Sequence, residues 1–244
     1  MLDYLLMSPK NPKRVLLKLS GEQLAGKEKN GIDLEMLDWL SSEIKKVVDS
    51  GIQLAIVVGG GNYIRGADFA EKGIEPATSH YMGMIATVIN GMALTDTLEK
   101  NGLESRMQTS FEIRAVAEPF IRRRAIRHLE KGRIVVCAAG TGRPFVTTDT
   151  AAVSFALELN CSTVLKATNV DGVYDKDPRN NPDAKLYETL SLQEALETPA
   201  IKVMDKSAIG LAMEQKMPIT VFNLNVDDNI FKAATGQNVG TRVT

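Results

Sequence analysis

An α/β fold around a mostly parallel sheet is what this sequence predicts, and three observations predict it. Val15, Leu16, Leu17 and Leu19 form an apolar run of strand length, and Ile52 to Val58 and Arg133 to Ala139 form two more. Runs apolar at nearly every position suit strands covered on both faces, the condition of a parallel sheet between helices. Segments of helical periodicity separate these runs, and each strand leads into a loop rich in glycine, hydroxyls or cations.

Bulk properties narrow the function classes. With 244 residues, 44% hydrophobic and 24% charged, the chain has ordinary globular composition and can bury a substantial core. A formal net charge of -1 gives no support to a nucleic-acid binder driven by overall charge. Cys137 and Cys161 sit in apolar surroundings and read as buried free thiols of a reducing compartment, not as a disulfide or metal site. Met1 to Pro12 lacks a basic segment followed by an apolar core, and no apolar run reaches membrane-spanning length. The reading is a cytoplasmic protein with neither nucleic acid nor membrane as partner. Residues 1–13 read as a flexible N-terminal arm, and 14–244 as a single domain with no dividing linker.

Taken in order, the first strand, Arg14 to Leu19, carries one anomaly. Lys18 is a cation near the strand's end, followed by Ser20-Gly21. Open α/β sheets bind ligands outside the carboxyl ends of their strands, where backbone N–H groups and an ammonium can hold a phosphate. A lysine snorkelling to solvent is the plain alternative. Glu22 to Gly31 is polar and reads as a loop. Asp33 caps a helix whose Leu37, Leu40, Ile44, Val47 and Val48 share one face, closed by Gly51.

The second strand runs into Gly59-Gly60-Gly61-Asn62, where backbone donors can approach a ligand closely. The stretch is no Walker A loop, and Ile64 stands where a dinucleotide fingerprint needs its third glycine. Arg65 lies at a distance suited to forking its guanidinium onto phosphate oxygens. Phe69 to Ser79 reads as irregular and Tyr81 to Lys100 as a long helix. Its Met84, Val88, Met92 and Leu98 suit a core or a subunit interface. Ser105 to Thr109 reads as a strand and Glu118 to Lys131 as a helix whose Arg122, Arg123, Arg124 and Arg127 form a solvated basic face.

After the strand ending at Ala139, Gly140 to Asp149 combines glycines, Arg143 and the hydroxyls of Thr141, Thr147 and Thr148, and opens a helix from about Thr150 to Leu159. Hydroxyls and N–H groups at a helix N-terminus favour an anion. Asp149 matches the helix dipole, and can equally orient a lysine or hold a metal through water. Thr163 to Ala167 reads as a strand. The polar loop Thr168 to Pro178, with Tyr174, suits a stacked base and a bound ribose, or an ordinary surface turn. Ser191 to Glu197, Lys206 to Met217 and Asp228 to Thr235 read as helices, Pro218 to Asn223 as a strand, and Gly240 to Thr244 as a closing edge strand.

Four strand-end loops thus carry phosphate-binding groups, and a parallel sheet brings them to one end. Their combined capacity exceeds one phosphate and favours two phosphorylated ligands. The sequence has two histidines and offers no Ser-His-Asp set, nucleophile elbow or His/Cys cluster. Phosphoryl transfer to an acceptor that is already an anion needs no general base, only alignment, a magnesium ion and cations on the equatorial oxygens.

Six segments carry a resemblance: Lys18 to Glu22; Gly59 to Asn62 with Arg65; Met82-Gly83-Met84 with Ala86-Thr87-Val88; Gly140-Thr141-Gly142 with Pro144-Phe145 and Thr147-Thr148-Asp149; Lys166-Ala167-Thr168 with Val170 to Val173; and Lys202 to Asp205. In this order, from about Arg14 to the C-terminus, they closely resemble the amino acid kinase family, and within it the bacterial UMP kinases. The resemblance implies a three-layer α/β/α sandwich, a homohexamer, and Mg-ATP-dependent conversion of UMP to UDP in pyrimidine nucleotide synthesis. The N-terminal part would bind UMP and the C-terminal part ATP.

Carried over by position, Lys18, Leu19, Ser20 and Gly21 resemble the ATP phosphate loop, and Gly61 and Arg65 further ATP-site positions. Thr168, Asn169, Tyr174 and Asp177 resemble the surroundings of adenine and ribose. Gly60 and the segment Thr141, Gly142, Arg143, Pro144, Phe145, Val146, Thr147 and Thr148 resemble the UMP side. Lys18, Arg65, Asp149 and Asp205 form the implied catalytic set, the two aspartates ordering lysines and Mg2+, with no protein-held metal besides. At His80 the family usually has an aspartate that contacts the UMP ribose, so a carboxylate acceptor is missing here. Gly26 to Gly31 reads Gly-Lys-Glu-Lys-Asn-Gly where many bacterial members carry a segment tied to GTP activation. GTP and UTP are the effectors the resemblance names. The rival readings are a carboxylate or carbamate kinase of the same fold and a non-catalytic nucleotide sensor.

Overall fold

The computed structural model describes residues 13–28, 30–64, 69, 73–199 and 201–244. Of the expected N-terminal arm only Lys13 is among them, and Arg65 lies outside the described residues. In chain order the described elements are β1 (Arg14–Leu19), α1 (Gly21–Leu24), α2 (Leu34–Asp49), β2 (Gln53–Val58), α3 (Pro76–Lys100), β3 (Ser105–Thr109), β4 (Glu118–Pro119), α4 (Arg122–Glu130), β5 (Ile134–Ala138), α5 (Thr148–Glu158), β6 (Val164–Thr168), β7 (Thr189–Leu190), α6 (Leu192–Glu197), α7 (Lys206–Glu214), β8 (Ile219–Asn223), α8 (Asn229–Thr235) and β9 (Thr241–Val243).

The strands form one sheet in the order β4-β3-β5-β2-β1-β6-β8-β9-β7. The pairings are parallel except for β8 with β9. Side chains alternate across a strand, so β1 divides itself between two cores. Val15, Leu17 and Leu19 meet Leu37, Leu40 and Ile44 of α2, Val88 and Leu94 of α3, and Ile230 of α8. Leu16 turns to the other face, with Ala125 and Leu129 of α4, Ala152 and Phe155 of α5, and Ala208 of α7. The result is the three-layer α/β/α sandwich expected from the resemblance. Cys137 and Cys161 are free buried thiols, and burial pushes the Cys161 thiol up to about 12.

Several elements depart from the sequence expectation, each for a local reason. Glu22 to Gly31 is not loop throughout: Ser20 and Gln23 form a capping box that starts one helical turn at Gly21. The long helix begins at Pro76, not Tyr81, because Glu75 accepts from the N–H groups of Ala77 and Thr78 and proline suits the first turn. Glu118–Pro119 is strand, paired with Gln108 and Thr109 of β3, and the helix behind it starts at Arg122. Pro119 tolerates this because β4 is an edge. The helix α5 begins at Thr148 behind an N-cap at Thr147, two residues earlier than read. Finally β9 is not the edge; it pairs with β8 on one side and with the two-residue β7 on the other.

The glycine loop after β2 is pinned from below. Asn90, buried in α3, donates through Nδ2 to the Gly59 carbonyl and to Asn62 Oδ1, each at 2.7 Å. Asn62 Nδ2 in turn donates to the Gly31 carbonyl at 2.6 Å. A buried group that loses its partner keeps the whole cost of its desolvation. Asn90→Ala should therefore lower stability by about 2–4 kcal/mol. Urea unfolding would show this as a lower midpoint at unchanged slope.

Candidate active site

Because β1, β2, β5 and β6 run parallel, the loops that follow them leave at the same rim of the sheet. Lys18 sits on the α5 face of β1, the same face as Leu16 two residues before it, and Lys166 stands opposite it in the β1–β6 register. Between the two ammonium groups lies Asp149, in the first turn of α5. Its Oδ1 is 2.9 Å from Lys18 Nζ, and its Oδ2 accepts from Lys166 Nζ at 2.7 Å. Lys18 also donates to Ser20 Oγ at 3.2 Å.

All three charges are largely shielded from water, with side-chain exposures of 7% for Lys18 and 14% for Asp149 and Lys166. Burial alone pushes the Asp149 carboxyl up, but the two ammonium groups outweigh it and hold the carboxyl below its usual value. Burial pulls Lys166 below the ordinary lysine range; Asp149 opposes that shift and the like charge of Lys18 adds to it. Within this set two cations face one carboxylate, while Asp205 acts on Lys166 from farther off; two fixed ammonium groups at a strand-end rim suit an anion.

Other implied positions among the described residues lie on the strand-end loops of this rim. Leu19 turns its side chain into the core, so only its backbone reaches the rim, and its carbonyl accepts from Gly59 N at 2.8 Å. The Ser20 N–H is taken by Gln23 Oε1 at 2.7 Å. Gly21 is required by close approach: a Cβ there would lie 2.6 Å from Gly61 N. Gly60 is pressed onto α3 in the same way, its missing Cβ leaving room for the Gly83 carbonyl at 2.7 Å. A cavity of about 420 Å³ opens beside these loops, lined among others by Ser20, Gln23, Lys166, Thr168, Tyr174 and Asp177. Asn169 also lines it and is exposed. Within this wall Thr168 donates to the Val170 carbonyl at 2.7 Å, and Asp177 is paired with Arg179 at 2.9 Å.

The segment from Thr141 to Thr148 leads into the helix start that carries Asp149, and none of its residues lines that cavity. Thr141 Oγ1 accepts from Arg143 N at 3.3 Å. Below it, the Ala139 N–H donates to Thr87 Oγ1 of α3, and Ser110 Oγ donates to the Gly140 carbonyl, anchoring the loop whose glycine Gly142 follows. Arg143 and Phe145 are exposed, while Pro144 and Val146 are half-buried. Phe145 holds φ at 65°, a left-handed conformation costly for a side chain of its size, and its ring lies 4.8 Å from that of His80. His80 thus meets the segment directly, although it replaces a carboxylate.

Asp205 is placed differently from Asp149. It caps α7, accepting from Ser207 N and Ala208 N, and it also accepts from the hydroxyls of Thr147 and Thr150. Its bonds join the N-termini of α5 and α7, and among the described residues none goes to a lysine ammonium. Among the described residues no group of three His, Cys, Asp or Glu side chains is placed to hold a metal ion. The Asp149 carboxylate is engaged by the Lys18 and Lys166 ammonium groups, so this rim offers cations and hydroxyls to a phosphate.

Lys166, Gln23, Thr87 and Asn90 are the neighbours that the sequence reading did not assign to the site. Lys166 had a signal, since it interrupts an apolar strand run just as Lys18 does. Thr87 stood in a motif of the resemblance without a role, and Asn90 had no signal, because it lies in the middle of a helix whose partners are distant in the chain.

An open parallel sheet with cationic, glycine-lined loops over one rim defines a phosphate-handling α/β protein. The model of the amino acid kinase family matches residues 13–223. A uridylate kinase of Aliarcobacter butzleri is 53% identical over 225 residues, covering 92% of this chain and 95% of that protein. The crystal structure of UMP kinase from Bacillus anthracis matches with a TM-score of 0.91 at 40% identity, covering 96% of each chain. That of UMP kinase from Ureaplasma parvum matches with a TM-score of 0.89 at 31% identity, covering 96% of this chain and 99% of the other. The chain belongs to the amino acid kinase family. Among its described residues no helix is long and apolar enough to cross a membrane.

Removing the central carboxylate would leave two buried cations facing each other. Asp149→Asn should cost about 3–5 kcal/mol of stability at neutral pH. Since the folded carboxyl titrates below its unfolded value of about 3.9, its contribution is present above that pH and fades as pH falls through the lower, folded value. Thermal unfolding of both proteins from pH 7 to pH 3 should show the gap narrowing at the acid end.

Proposed function

We propose that this chain is a UMP kinase, which transfers the γ-phosphoryl group of Mg-ATP to UMP and releases UDP and ADP. The observation that carries the reading is the Lys18–Asp149–Lys166 set, with Lys166 in the wall of the 420 Å³ cavity and the Thr141–Thr148 segment leading directly into Asp149. The relatives named UMP kinase and uridylate kinase, matched over nearly their whole length, support the acceptor. Conversion of UMP to UDP places the reaction in pyrimidine nucleotide synthesis.

In this mechanism a phosphate oxygen of UMP attacks the γ-phosphorus in line. The bond from that phosphorus to the β–γ bridging oxygen breaks, and the electron pair leaves with ADP. The nucleophile is already an anion, so no side chain has to remove a proton. Lys18 and Lys166 neutralise charge on the transferred group, and Asp149 fixes their ammonium groups so that little reorganisation is needed. Mg2+, if bound with the nucleotide, would supply further neutralisation of phosphate charge. Ser20, Gly21, Gly61 and Arg65 hold the ATP phosphates; Thr168, Asn169, Tyr174 and Asp177 surround its adenosine. Gly60 and the Thr141–Thr148 loop receive UMP, with Phe145 and His80 at its mouth. The role of Asp205 is to position the start of α5, and hence Asp149, through its bonds to Thr147 and Thr150.

The surface of α3 supports a homo-oligomer, a hexamer by the family resemblance. Tyr81, Ile85, Ile89 and Met92 are exposed at helical spacing and form an apolar stripe on one face. A cytoplasmic setting fits the free thiols, and GTP and UTP are the effectors to test.

Lys18→Ala should lower kcat by about two to three orders of magnitude while the protein stays folded. A coupled ADP-release assay with UMP, CMP, aspartate and acetylglutamate should respond to UMP. Silence with UMP and activity with a carboxylate would transfer the reading to the rival kinase class, and full activity of Lys18→Ala would remove the charge-neutralising role. Ile85→Glu combined with Ile89→Glu should convert the assembly into smaller species in light scattering.

A further inference from the structure

Gln23 has no place in the site as the sequence describes it, yet its two amide ends are treated very differently. The side chain is 5% exposed. Its Oε1 accepts from Ser20 N at 2.7 Å, closing the capping box that starts α1. That bond settles the orientation of the amide, because a flipped group would set an NH2 against an N–H. Nε2 is buried and finds no acceptor among the described residues. A buried donor without a partner is rare and unfavourable in a native protein. The same residue lines the 420 Å³ cavity beside Ser20, Lys166 and Thr168. Lys166 and Glu22 both belong to the wall here, and Lys18 donates to Ser20 Oγ, so two ammonium groups stand at this end of the cavity beside one carboxylate of the wall.

We propose that Gln23 is a binding and positioning residue for the donor nucleotide, its Nε2 donating to a phosphate oxygen of a nucleoside di- or triphosphate in this cavity while its Oε1 keeps the Ser20 loop in shape. The proposal rests on reading the cavity as the donor-nucleotide site. A phosphate oxygen suits the position better than a ribose hydroxyl or a base. It is an acceptor only, it carries charge that strengthens the bond, and it is drawn to the end where the lysines lie. Gln23 thereby couples two events within one side chain. The acceptor end organises the loop before binding, and the donor end gains its partner only when the polyphosphate arrives.

Two substitutions separate these ends. Gln23→Glu retains an oxygen for the Ser20 N–H and loses the donor; Gln23→Met is similar in size and loses both. Binding of ATP, ADP and AMP to the full-length protein in the presence of Mg2+, and of UMP, would be measured by titration calorimetry, with thermal unfolding of each variant alongside. The expected result is a loss of about tenfold or more in affinity for ATP and ADP in both variants. AMP, which lacks the β- and γ-phosphates, and UMP should bind as in the parent protein. Unchanged ADP affinity in Gln23→Met would overturn the proposal, and so would an equal loss for AMP, which would place the contact away from the polyphosphate. If Gln23→Met proves too unstable to measure, Gln23→Leu, equally uncharged and without the donor, decides in its place, since the charge of Gln23→Glu would repel a polyphosphate even without a lost contact. A parent protein that binds UMP but no adenine nucleotide would instead overturn the kinase reading beneath it.

Discussion

One carboxylate between two lysines governs the functional end of this molecule. At the low dielectric of a sheet rim, Lys18 and Lys166 on neighbouring parallel strands would repel each other strongly. Asp149 makes their juxtaposition tolerable by giving one oxygen to each. The arrangement has a strict geometric requirement, because the aspartate must arrive from a helix that starts directly over β1 and β6. Thr147 provides that start as an N-cap, and Asp205 ties it to the head of α7. A phosphoryl group approaching this rim meets charges that are already held in place.

The loops around that centre are not floppy, although their composition suggests it. The glycines remove side chains where backbone meets backbone, as Gly21 does against Gly61 and Gly60 against α3. Buried polar side chains then fasten the loops from inside the protein: Asn62 and Asn90 below the triple glycine, Thr87 below Ala139. Helix α3 is therefore a second scaffold for the site. It supports both the β2 and the β5 loop, and its outer face still carries an unpaired apolar stripe.

The strands and the main helices were legible because each carries its own signal. Apolar runs marked β1, β2 and β5, and Asp33 with its apolar face marked α2 to within a residue. What was misread depended on partners. The two-residue strands β4 and β7 exist only through ladders to β3 and β9, and no local pattern of two residues can announce that. The turn at Gly21 was hidden in a polar, lysine-rich segment, since a single capping box outweighs composition over so short a span. In the site, Lys18 and Asp149 were legible as anomalies of type and place. Lys166 was visible in a motif without its function, because its meaning lies in the register with Lys18.

By itself, the amino-acid order determined the layers, the strand ends that carry chemistry, and the family, for these follow from apolar spacing and from short motifs in a set sequence. Only the tertiary structure decided which charges face one another, that Asp205 is spent on helix ends while Asp149 bridges two lysines, and that Gln23 turns a lone donor inward. The reason is physical. Hydrophobic periodicity acts over neighbouring residues, whereas an ion pair or a buried hydrogen bond is fixed within a few tenths of an ångström by separate elements, which can stand as far apart in the chain as Lys18 and Asp149 do.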